Sequence, residues 1–145
     1  MSDDIDIALE LMAEDKEGIL YRPKFVRAVG GVTSAILLQQ IIFRWIHNDR
    51  QPFFKFKEPC GHKLYREGDS WCEELAFSRR EFDTALSRIA TRKTATMTIG
   101  QAMQEGKPVV YWTDRGRVTH YTVNKDALTK ILRRAYSLKA ESAFS

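Results

Sequence analysis

The chain has 145 residues, 43% of them hydrophobic and 29% charged, with a formal net charge of +4. That is enough apolar side chain to bury the core of one domain with a short appendage. Two cysteines are too few for a disulfide framework. The acidic start "MSDDIDIALELM" is no secretory signal, and the longest apolar run, "AILLQQIIF", falls short of the roughly 20 residues a membrane span needs. These features predict a cytoplasmic, reduced protein with no membrane contact.

Charge is unevenly placed. Residues 1–17 hold seven acids against Lys16, a net −6, while the other residues hold 22 basic side chains against 12 acids, a net +10. An acidic lead segment on a body suited to polyanions is one reading; solvated surface charge is the plain alternative.

In chain order, Ile5, Leu9 and Met12 recur at helical spacing and predict a helix over 4–17, stopped by Gly18. It is expected to pack on the core, with partner docking, dimerisation or folding back over the basic face as alternatives. Pro23 opens a second helical turn, which Gly30-Gly31 ends. From Thr33 to His47, Ile36, Leu37, Leu38, Ile41, Ile42, Trp45 and Ile46 cover most of the circumference of a core helix capped by Thr33 or Ser34. "FFKFK" alternates as a short strand should, with Phe54 and Phe56 on one face and Lys55 and Lys57 guarding the other as an edge. Residues 58–69 carry Pro59, Gly61 and Gly68 and predict a loop.

Ser70 with Glu73, and Ser78 with Glu81, are two capping boxes eight residues apart. Two helix starts that close require a turn between them, so residues 69–92 form a helix-turn-helix. In the second helix Phe82, Ala85, Leu86 and Ile89 face the core, which leaves Arg80, Thr84, Ser87 and Thr91 outward, flanked by Arg88 and Asp83. Residues 91–108 predict a loop with a short strand at Thr96 to Ile99. Val109–Thr113 and Val118–Val123 then flank "DRGR", whose glycine suits a hairpin tip carrying Arg115 and Arg117. Asn124 caps a final helix over 125–136 with a stripe of Leu128, Ile131, Leu132 and Ala135, followed by a tail at 137–145.

A core helix, a short strand, two helices and a hairpin follow the order of a winged helix-turn-helix. The fold class predicted is therefore α+β, mainly helical, with an antiparallel hairpin wing at 109–123 and extra N- and C-terminal helices. The domain spans 18–136 behind the acidic segment 1–17. Three stretches, "VTSAILLQQIIFRWIHN", "GDSWCEELAFSRREFDTALSRIA" and "VVYWTDRGRVTHYTVNKDAL", resemble the winged-helix proteins of phages, prophages and plasmids, a group that includes N-terminal domains of replication initiators. The likeness covers about residues 20–130 and includes Gly31, Ala35, Leu38 and Gln40 of the core helix. Two departures stand out: "AF" replaces the usual glycine of the turn, and residues 93–108 form a long link before the wing. The resemblance implies binding of double-stranded DNA in replication or transcription control, and no chemistry.

The expected DNA-binding residues are Arg79, Arg80, Thr84, Ser87, Arg88, Arg115 and Arg117. Of these, Arg80, Thr84 and Ser87 would reach base edges and the others would hold phosphates. Small DNA-reading modules often dimerise to lengthen their site. The alternative function is a protein-interaction module, an adaptor or inhibitor of a host complex, favoured by Glu81, Asp83 and the acidic first helix. Cys60, His62 and Cys72, with His47 or Asp69 as a fourth, offer metal-ligand types at a spacing that fits no standard zinc pattern, so no metal or cofactor is expected. His120 is expected to pack across from Tyr111 or Trp112. Trp45, Trp71, Trp112, Phe54 and Phe56 are assigned to the core. No catalytic triad, phosphate loop or carboxylate pair is visible, which argues against an enzyme.

Overall fold

The computed structural model describes residues 2–136; the tail proposed at 137–145 lies outside them. Helix α1 (Ser2–Glu14) precedes α2 (Pro23–Val29) and α3 (Val32–His47). Strand β1 (Phe53–Phe54) and the helix pair α4 (Trp71–Leu75) and α5 (Arg79–Ile89) follow. The chain closes with β2 (Ala90–Arg92), α6 (Ile99–Met103), β3 (Val109–Thr113), β4 (Thr119–Val123) and α7 (Lys125–Tyr136). The architecture is α+β: helices around a small mixed sheet of order β1-β4-β3-β2. β1–β4 and β3–β4 are antiparallel, and β2–β3 is parallel. The parallel pair needs a crossover, which α6 and its flanking turns supply.

Helix α3 runs through the centre, with Leu37, Leu38 and Ile41 fully buried against Phe82, Ala85, Ile89, Trp71 and Tyr121. Side chains expected at its cap sit elsewhere. Gly31 occupies the N-cap with no side-chain bond, and Ser34 is buried, donating to the Ala85 carbonyl of α5 at 3.2 Å. That bond crosses the α3–α5 interface, a better use for a buried hydroxyl than a cap already open to solvent. Gly30 ends α2 in the left-handed region, φ 100°, as its helix-stopping role requires.

Helix α1 stops at Glu14, three residues short of the expected end, and does not pack on the core. Ile5, Ile7, Leu9, Leu11 and Met12 are all more than half exposed. The strand "FFKFK" shows the opposite phase from the one expected. Phe53 turns inward onto Tyr121 and Trp71, Phe54 is 47% exposed, and Lys55 is buried. One residue of slip in a strand exchanges its faces. Phe54 is therefore not core, and Lys55 is not an edge guard.

The strand expected at Thr96 to Ile99 is absent. Residues 90–92 form β2 instead, which takes Thr91 and Arg92 off the helix, and Thr98 with Gln101 closes a full capping box that starts α6. Asn124 ties this region together. Its side chain donates to the Met103 and Lys107 carbonyls at 3.0 and 3.1 Å, and its oxygen caps α7 at the Ala127 N–H. No single helix among the described residues is long and apolar enough to cross a membrane. Together α2 and α3 have the length, but they bend by 104° and α3 supplies the core.

Candidate nucleic-acid interface

Of the two expected boxes, that of Ser78 and Glu81 closes fully, while at Ser70 the hydroxyl cap forms and the Glu73 carboxylate takes the Ser70 hydroxyl and the Gly68 N–H. The Ser70 hydroxyl accepts from the Glu73 N–H, and Ser78 and Glu81 cap each other reciprocally. Between them Ala76 adopts the left-handed region, φ 56°, where glycine was expected. A non-glycine residue there costs about 1–2 kcal/mol. The chain accepts that cost because Leu75 and Trp71 on one side and Phe82 on the other are anchored in the core.

On α5, Phe82, Ala85, Leu86 and Ile89 are buried and Arg80, Thr84 and Ser87 are exposed, as the spacing predicts. The Arg80 side chain has no hydrogen-bond or ion-pair partner among the described residues. Ser87 turns its hydroxyl back to the Thr84 carbonyl at 2.9 Å, and that carbonyl bond must break or be shared before Ser87 can donate outward.

The remaining arginines of α5 are engaged. Arg79 forks onto Glu58 through Nε at 2.7 Å and through Nη2, although its side chain stays 69% exposed. The same hydrogen bond, with the Arg79 charge, holds the Glu58 carboxyl below the usual carboxylate range. Arg88 reaches back across the core edge to the Gly30 carbonyl at the C-terminus of α2. It is bound within the protein there, not extended toward a ligand. The acids of α5 are engaged too: Asp83 pairs with Lys57 at 3.1 Å and Glu81 is bound in its capping box. Arg80 therefore stands as the uncompensated charge of this helix.

At the hairpin tip, Asp114 accepts the Arg117 N–H at 3.0 Å, and its carboxylate takes the Val118 N–H and the His120 ring. These hydrogen bonds, that from His120 foremost, hold the Asp114 carboxyl below the ordinary range. Arg117, not Gly116, takes the left-handed conformation, φ 63°. Arg115 and Arg117 are both exposed, with no side-chain partner among the described residues.

His120 lies across from Trp112 and stacks on it, ring centroids 5.6 Å apart and planes 16° apart. Phe54, His120 and Trp112 form one row on the outer sheet face, with Phe56 beside Phe54. Among the aromatics expected in the core, Trp45 and Trp71 are buried, while Trp112 and Phe56 are half-buried.

Of loop residues 58–62 the sequence singled out only Cys60 and His62, weighed as metal ligands, yet the loop touches both parts of the surface. Glu58 grips Arg79, and His62 donates from Nε2 to the Gly116 carbonyl at 2.8 Å. Its Nδ1 accepts from the Leu64 N–H, so both ring nitrogens are taken. Cys60 is exposed and Cys72 half-buried; burial, then the Glu58 charge, pushes the Cys72 thiol up. Among the described residues no three His, Cys, Asp or Glu side chains gather as a metal site.

A second missed cluster lies behind the helix pair. Lys55, 1% exposed, places its Nζ 2.9 Å from Asp69 and 3.2 Å from Glu74, over the Trp71 ring at 4.9 Å. Arg44 of α3 closes the group, 3.3 Å from Asp69 and 2.8 Å from Glu74. Burial raises both carboxyls, but the hydrogen bonds and charges of Lys55 and Arg44 outweigh it and hold both below their usual range. No protein-family model, curated protein or solved structure matches the chain.

Proposed function

We propose that the chain is a winged-helix protein that binds double-stranded DNA, with α5 entering the major groove and the β3–β4 hairpin acting as the wing. The observation that carries this reading is the arrangement of α5. It follows a tight turn, buries one face completely, and exposes Arg80, Thr84 and Ser87 while its acids are held by Lys57 and its own cap. The strand order agrees with it, because β1 pairs with β4 and β4 with β3, with the helix pair inserted between β1 and β3. Arg80 is the base-reading candidate and Arg115 and Arg117 the phosphate anchors. Arg79 joins them only by exchanging Glu58 for a phosphate. Arg88 contributes to the fold of α2 and leaves the contact set. Replication or transcription control in a mobile element is the setting this reading suggests.

Anisotropy of labelled duplex at several salt concentrations tests it. Binding should weaken steeply with salt, and Arg115→Ala should lower the slope of log K against log salt by roughly one phosphate's share. Arg80→Ala should cost about 1–3 kcal/mol on a selected site and less on random duplex. Absence of binding at low salt would overturn the reading and leave the second one, a protein-interaction module, which the exposed apolar side chains of α1 favour.

A further inference from the structure

The outer face of the sheet carries rings where a solvent-facing sheet normally carries polar side chains. Phe54, His120 and Trp112 lie side by side across β1, β4 and β3, with Phe54 opposite His120 and His120 opposite Trp112. Their neighbours Phe53, Tyr121 and Tyr111 face the core, so strand alternation puts the three rings on the side away from it. The row continues off the sheet: Phe56 lies 6.3 Å from Phe54, and His62 lies 5.1 Å from Phe56. Phe54 is 47% exposed and the other four rings are half-buried. His120 is held by the Trp112 ring and the Asp114 carboxylate, and both nitrogens of His62 are bonded, so the row is fixed before any ligand arrives.

At one end the row opens into a cleft of about 450 Å³ lined by Phe56, Cys60, Gly61, His62 and Arg117. Arg117 occupies the left-handed region, φ 63°, although Gly116 stands beside it and would take that conformation without strain. The hairpin tip thus holds an arginine at the cleft at the expense of its own backbone. Arg115 next to it, and Lys63 and Arg66 of the neighbouring loop, are also exposed. None of these four cations has a side-chain partner among the described residues. Of the acids in the loop and tip, Glu58, Asp69 and Asp114 are held by Arg79, Lys55 and His120, which leaves Glu67 against the four.

Rings in file with unpaired cations beside them fit one ligand chemistry, unpaired nucleobases joined by phosphates. Each base offers a flat face to a ring, and each phosphate offers an anion to an arginine or lysine. A closed duplex keeps its base faces inside its own stack and would use the cations alone. An acidic peptide would likewise leave the rings without flat partners. We infer that the outer sheet face, from Trp112 to the cleft at His62 and Arg117, binds single-stranded nucleic acid by stacking, on a surface separate from α5. Five rings in succession set the site at about five nucleotides, within the range of single stacking domains. This holds whether or not α5 binds duplex.

Tryptophan emission of the full chain reports the contact directly, because Trp45 and Trp71 are buried and Trp112 is only half-buried. A thymidine oligomer of about 12 nucleotides, titrated at low salt, should quench that emission. An abasic oligomer of equal length keeps the phosphates without the bases, and should bind about fivefold or more weakly. Phe54→Ala should weaken binding of the thymidine oligomer by a similar factor with circular dichroism unchanged, since Phe54 is exposed. Arg80→Ala should leave oligomer binding as it is. Oligomer binding without duplex binding would support the proposal and sink only the reading of α5. Equal affinity for the abasic and thymidine oligomers overturns the proposal, as does no binding at low salt. A duplex that quenches Trp112 as strongly as the oligomer overturns it too. So does a dimer in sedimentation that Phe54→Ala dissolves, which would make the row a contact between copies.

Discussion

Replacing Lys55 by methionine removes a buried ammonium while keeping most of the side-chain volume. Its Nζ serves two carboxylates at 2.9 and 3.2 Å and the face of Trp71. Orphaning a buried charge typically costs about 3–5 kcal/mol. Here that is an upper bound, because the Asp69 and Glu74 side chains are 49% and 23% exposed and Arg44 remains with both. Losing the ammonium also relieves its own desolvation, so about 2 kcal/mol is the expected net cost at neutral pH. Urea unfolding, read by tryptophan fluorescence and circular dichroism together, measures it.

The pH dependence gives a second handle. Asp69 and Glu74 titrate lower in the folded chain than in the unfolded one, so the unfolded chain binds more protons in the acid range. Their stabilisation is therefore complete above about pH 5 and is lost as pH falls through the folded values. The Lys55→Met variant should lose less stability than wild type between those limits. A cost below about 0.5 kcal/mol with an unchanged acid profile would refute the account of Lys55 as a paired core charge.

Three further outcomes are expected. Glu58→Gln frees Arg79 and removes a negative charge beside α5, so duplex affinity at low salt should rise about threefold or more in an anisotropy titration; a fall would place Arg79 outside the contact surface. Ser78→Ala deletes the hydroxyl that starts α5 and should cost about 1 kcal/mol in chemical unfolding; no loss would mean that core packing alone fixes that start. Iodoacetamide near neutral pH should label Cys60 well before Cys72, whose thiol is partly buried and shifted up; mass spectrometry showing the reverse order would contradict the burial described.

What was legible in the sequence was local. The capping serines, the 82-85-86-89 stripe and both strands of the hairpin depend on residues within a turn or two of each other, and they emerged where the pattern placed them. The box at Thr98 and Gln101 was equally readable and would have revealed α6. Lys55 was not readable in the same way. Its inward phase is tolerable only because Asp69 lies 14 residues on and folds against it, a pairing no strand pattern encodes. The partners of Arg79 and Arg88 lie 21 and 58 residues away, so charge alone marked both as free. Helix α1 failed for the opposite reason: its periodicity is good, but an amphipathic stripe does not say which surface covers it.

The short brace from Glu58 to His62 holds α5 at one end and the hairpin tip at the other. Its length therefore works as a caliper. The five residues between these clasps tie α5 to the hairpin tip, and under the proposed DNA-binding reading adding or deleting one residue there would alter the width of duplex the two can straddle. Under that reading a change of target begins in this loop, with every exposed residue of α5 left as it is.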